Sequence, residues 1–80
     1  MNPSDRTVFE NYLLDLGVIF REIALEAKEA AKSDSATDFE VGYMAGFHRV
    51  VSLMQQQAEA FQIPLASIGL EGIDADRDLV

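Results

Sequence analysis

The sequence predicts an all-α protein: an antiparallel two-helix hairpin that pairs into a homodimeric four-helix bundle, followed by a short C-terminal tail. Three observations carry that expectation. Two long proline-free stretches each place apolar residues in alternating steps of three and four, the spacing of a helical stripe. A polar, turn-forming break separates them. The apolar residues also exceed what one hairpin can cover, which asks for a second layer.

The first helix is expected at about 4–32. Asn2-Pro3-Ser4-Asp5 reads as its start, with a capping side chain, a proline tolerated in the first turn and an early acid. Its inner seam is Phe9, Leu13, Leu16, Phe20, Ile23, Ala27 and Ala30. Gly17 is its one weak helix former, and Lys28 and Lys32 complement the dipole in the closing turns.

The turn is expected at 33–37, through Ser33-Asp34-Ser35-Ala36. Thr37-Asp38-Phe39-Glu40 then matches a capping box, in which the Thr37 hydroxyl accepts from the Glu40 amide and the Glu40 carboxylate accepts from the Thr37 amide. The second helix is expected at about 38–62, ending before Pro64 because the residue preceding proline is pushed out of helical geometry. Its seam is Met44, Phe47, Val51, Met54, Ala58 and Phe61.

The two seams share one register. Paired from Phe9 with Phe61 to Ala27 with Met44, their residue numbers sum to 70 or 71, which centres the hairpin on Ser35 inside the expected turn. A short turn at 64–69 closes the hairpin domain, residues 1–70. Residues 71–80 are expected as an acidic C-terminal tail.

Beyond the seams lie apolar residues with no partner in the hairpin. Tyr12 and Ile19 widen the first seam. Leu14, Val18 and Leu25 point nearly opposite to it, and Phe39, Tyr43, Val50 and Leu53 form a stripe on the second helix. These residues, with Gly42 and Gly46 as a possible point of close helix approach, mark the candidate dimer or partner interface. Two arrangements would cover them. A second hairpin could dock, or the segment carrying Ile63, Leu65, Ile68, Leu70 and Ile73 could fold back over the first helix.

Composition narrows the function. Eighty residues make one domain, and six basic against fourteen acidic residues give a net charge of −8. That balance argues against binding a phosphate backbone or an anionic membrane surface, since both select lysine and arginine. No cysteine is present, which removes disulfides and thiolate metal sites and fits a cytoplasmic location. The first twenty residues carry Asp5, Glu10 and Asp15 and no basic leader, so no signal peptide is expected.

No motif reaches a specific chemistry. Asp74-Ala75-Asp76-Arg77-Asp78 resembles the opening of a calcium loop, but Leu79 stands where glycine is needed and no closing glutamate follows. A solvated tail, or an Asp74 cap on a last helical turn, accounts for it better. His48 has Ser52 one turn on but nothing to activate it, and Glu22, Glu26 and Glu29 lack the Glu-x-x-His pairs of bundle metal sites. Gln55-Gln56-Gln57 forms a polar patch of good helix formers. No catalytic, cofactor-binding or metal-binding residue is expected, and no cofactor. The leading expectation is a noncatalytic interaction module, homodimeric, with an unidentified protein partner. The alternatives are an acidic inhibitor of immunity or antitoxin type and, more weakly, a small enzyme or accessory subunit.

Overall fold

In the computed structural model, which describes residues 3–80, helix α1 spans Pro3–Ala31 and helix α2 spans Asp38–Ala60. A 3-10 turn at Leu65–Ile68 and a one-turn helix α3 at Ala75–Asp78 follow. No strand occurs among the described residues, and the two long helices pack against each other as an elongated hairpin. The Asn2 part of the expected first cap lies outside the described residues.

The start of α2 forms as its sequence dictates. The Glu40 amide donates to the Thr37 hydroxyl at 3.1 Å and the Thr37 amide donates to the Glu40 carboxylate at 3.0 Å. Each bond satisfies an amide that the first turn of a helix would otherwise leave unpaired. The helix ends two residues earlier than expected. Phe61 caps it, Gln62 turns to φ 58°, and the amides of Ile63 and Gln62 donate to the carbonyls of Ala58 and Glu59. This is a Schellman motif built on a left-handed glutamine, and Pro64 prevents any resumption of the helix.

From Pro64 the chain doubles back and runs along one groove of the hairpin toward the interhelix turn. We call residues 64–80 the strap. The 3-10 turn ends in a second Schellman motif, with Gly69 at φ 74° and the Leu70 amide donating to the Leu65 carbonyl at 3.1 Å. That turn lies directly on α1. A side chain at Gly17 would collide with the Ile68 carbonyl, and one at Gly69 would press on Val18 and the Leu14 carbonyl. Gly17 is therefore needed for close backbone approach, despite the roughly 1 kcal/mol that glycine costs a helix interior relative to alanine.

Side chains of both helices hold the strap. Arg21 Nη1 donates to the Glu71 carbonyl at 2.8 Å. Gln55 Nε2 donates to the carbonyls of Leu70 and Ile73 at 3.1 and 2.8 Å. Farther along, His48 Nε2 lies 3.0 Å from Asp76 Oδ1. The Leu70 and Ile73 carbonyls thus find a donor at a half-buried point of the strap, while the Arg21 and His48 contacts tie it down at the surface.

The core forms where strap and hairpin meet. Ala24, Val51 and Ala58 of the helices cluster with Ile68, Leu70, Ile73, Ala75 and Leu79 of the strap, and Phe47, Met54 and Leu65 pack around them. Leu70 is 0% exposed and Leu79 1%. Residues 71–80, expected as a solvated acidic tail, thus contribute buried side chains. The physical reason is local: in α3 the apolar Ala75 and Leu79 fall on one side, four residues apart, while Asp74 and Asp76 face water.

The strap also displaces the expected seam. Leu16, Phe20, Ile23, Met44, Phe47 and Met54 are only partly buried, and Phe9, Leu13 and Phe61 are exposed. On α1 the seam residue Ala27 is buried, and burial otherwise shifts to the small residues Gly17 and Ala24, with the strap backbone pressed against Gly17. The register of the hairpin survives. Leu13 lines one hollow with Ala58, and Ala27 lines another with Tyr43, pairs whose numbers sum to 71 and 70.

Candidate docking face

The strap divides the hairpin into two unlike sides. It touches Gly17 and Arg21 on α1 and His48 and Gln55 on α2. Two residues along an α-helix turn the side chain through about 200°. Ile19, between Gly17 and Arg21, therefore stands on the far side, as do Val50 and Leu53, each two residues from a strap contact. All three are exposed.

On that far side α2 presents Phe39, Tyr43, Gly46, Val50, Leu53 and Gln57 in steps of four and three. None of them is charged. Phe39 is 75% exposed and stacks obliquely on Tyr43 with ring centroids 5.8 Å apart; Tyr43 in turn meets Phe47 at 5.0 Å. Phe47 closes the aromatic row edge-on against Phe20 at 6.1 Å. Ile23, Glu26, Ala27 and Ala30 of α1 face Phe39 and Tyr43 across an open groove of about 280 Å³.

The nine residues expected to form one interface fall on two sides. Phe39, Tyr43, Val50 and Leu53 share the open face. Gly42 and Gly46 have empty space above them, with no atom within 4 Å of where a side chain would begin, so no aromatic of α1 fills that position. Leu14 and Val18 instead border the strap, and Leu25 continues their stripe on the back of α1. Tyr12 and Ile19 were expected only to widen the inner seam, yet they are exposed and Ile19 belongs to the open face. Nothing short of the path of the strap separates these two groups of apolar residues.

The residues weighed for chemistry serve the strap. Asp74 caps α3, its carboxylate accepting from the amides of Asp76 and Arg77 at 2.9 and 3.2 Å. The Arg77 guanidinium grips Asp78 at 2.7 and 2.8 Å, and the Asp74 amide donates to the same carboxylate at 2.8 Å. The Arg77 hydrogen bonds first, then the Asp74 amide, hold the Asp78 carboxyl well below the usual carboxylate range, with Lys28 adding attraction from α1. Asp78 in turn raises Arg77.

His48 is held by Asp76, not by Ser52, whose hydroxyl accepts from Gln56 at 2.9 Å. Of the glutamine patch, Gln55 clamps the strap. Among the described residues no group of three metal-ligating side chains converges, and no helix is long and apolar enough to cross a membrane.

Comparison with known proteins adds no relative: no family model, curated protein or solved structure matches this chain.

Proposed function

We propose that this protein is a noncatalytic interaction module of the cytoplasm that works as a homodimer, two strapped hairpins joining through their open faces into a four-helix bundle. One observation carries the reading. The chain bears a net charge of −8, yet the stripe from Phe39 to Gln57 on the open side of α2 is apolar or neutral throughout. An acidic molecule that keeps carboxylates off one apolar helix face has a surface that a like-charged copy can approach. Such a contiguous patch is uncommon on a monomer left in water. The dimer would leave its acidic outer surface for a further protein partner.

The noncatalytic part of the reading is supported by what the polar residues are engaged in. His48, Gln55, Asp74 and Asp78 make the contacts that fix the strap, so their polar groups are engaged in structure.

Light scattering at micromolar concentration is expected to give twice the 8.8 kDa chain mass. Val50→Glu should yield a folded monomer, with helical circular dichroism retained. Val18→Glu, on the strap side, should lower the melting temperature instead of splitting the dimer. A wild-type protein that stays monomeric up to the highest soluble concentration would overturn the proposal.

A further inference from the structure

The charges that border the open face select one of the two ways in which two such hairpins can pair. This inference rests on the proposed dimer and specifies its arrangement. On α1 the outward row runs Val8, Tyr12, Asp15, Ile19, Glu22 and Glu26 in steps of four and three, so three carboxylates alternate with its apolar residues. On α2 Gly42 and Arg49 lie just outside the apolar stripe, in helical steps from its Gly46 and Leu53, and Arg49 is the one cation there. Among the described residues, Asp15, Glu22, Glu26 and Arg49 have no hydrogen-bonding or ion-pair partner within the chain. These charged groups are free to be met from outside.

Two hairpins placed face to face can be related by a two-fold axis across their length or along it. An axis across the length lays α1 on the partner's α1. The acidic row then meets its own copy, and like charges are brought together where α1 crosses α1. An axis along the length lays α1 on the partner's α2, antiparallel and at the same heights as within one hairpin, with both interhelix turns at one end. In that arrangement the acidic row meets the neutral stripe and its bordering cation. The register makes the match specific: Arg49 and Glu22 sum to 71, the same value as the intrachain pair Leu13–Ala58.

We infer that the two hairpins are related by a two-fold axis along their length, with Arg49 of each copy paired to Glu22 of the other and Glu26 one turn away. Gly42 and Gly46 then lie beneath the partner's α1, where the absence of side chains lets the helices approach. The occupant of the open face is a second copy of this chain, in one orientation.

The full-length protein tests this in two ways. The chain contains no cysteine, so Ser35→Cys in the exposed turn accepts a single spin label per protomer. Turns at one end give a short interlabel distance. Turns at opposite ends give one approaching the 51 Å length of the molecule. Separately, Arg49→Glu and Glu22→Arg should each weaken dimerisation about tenfold, because symmetry repeats the lost pair. Combining them should return the affinity to within a few-fold of wild type. Both residues are surface groups with no contact to lose within the chain, so circular dichroism should not change. A dimer with widely separated labels, or with no rescue in the double variant, overturns the arrangement and leaves the dimer standing. A monomeric wild type removes both.

Discussion

The two sides of this hairpin differ in what meets the helices, and the glycines record the difference. On the strap side a backbone presses against α1 so closely that position 17 has no room for a methyl group. On the open side Gly42 and Gly46 face empty space. One side has completed its folding within the chain. The other carries a continuous apolar stripe at the same helical spacing with nothing upon it. A short chain buries a small fraction of its surface, and this one concentrates that burial on one side.

The largest test of the contrast removes one leucine from each side. Leu70 is fully enclosed between strap and helices, so Leu70→Ala should cost about 2–5 kcal/mol, the range for a cavity in a core that relaxes incompletely. Leu53 is 39% exposed, and Leu53→Ala should cost the monomer far less while weakening the dimer. Chemical denaturation at low protein concentration measures the first effect, and the concentration dependence of the midpoint measures the second. Equal losses at both positions, independent of concentration, would mean that the two sides are not distinct.

The same substitution at the glycines should change sign across the molecule. Alanine normally stabilises a helix interior by about 1 kcal/mol over glycine. At Gly42 and Gly46 that gain should appear in the isolated protomer, since nothing stands in the way of the new methyl groups. At Gly17 the methyl group meets the Ile68 carbonyl, backbone that cannot rotate aside. Gly17→Ala should therefore destabilise by about 1–3 kcal/mol, as overpacking does. Thermal melts of the three variants read the sign directly, and a stabilised Gly17→Ala variant would show that the strap is not anchored there.

The helices and the turn between them were legible in the sequence because their signals are local. Thr37 and Glu40 form the capping box that their spacing implies, and Pro64 bars helix close to its expected limit. The strap was harder to read. Its apolar residues, from Leu65 to Leu79, follow no sustained period, since a 3-10 turn closed by a Schellman motif, a second left-handed glycine at Gly72 and a one-turn helix change direction every few residues. Three aspartates within five residues made that end of the chain read as solvated, although Ile73, Ala75 and Leu79 between and beside them are buried. The candidate interface was legible only in part for the same reason. Phe39, Tyr43, Val50 and Leu53 could be separated from Leu14, Val18 and Leu25 only by knowing which side the strap covers.

Acid provides the smallest and most selective probe of the covered side. Asp78 is held as a carboxylate by the Arg77 guanidinium and the Asp74 amide, and those bonds close the turn that carries Leu79 into the core. Its folded pKa lies below the unfolded value, so its contribution to stability is present above the ordinary aspartate pKa of about 3.9 and is lost as pH falls through the folded value. Asp78→Asn removes the titration and keeps the shape. At neutral pH the variant should melt below wild type. Below about pH 5 that gap should narrow, because the unfolded wild-type chain begins to take up a proton at Asp78 that the folded state still refuses, and the variant has no such titration. Other carboxylates titrate equally in both proteins and cancel from the difference. A gap that stays constant from neutral to strongly acidic pH would mean that Asp78 stabilises the strap by its shape alone and not by its charge.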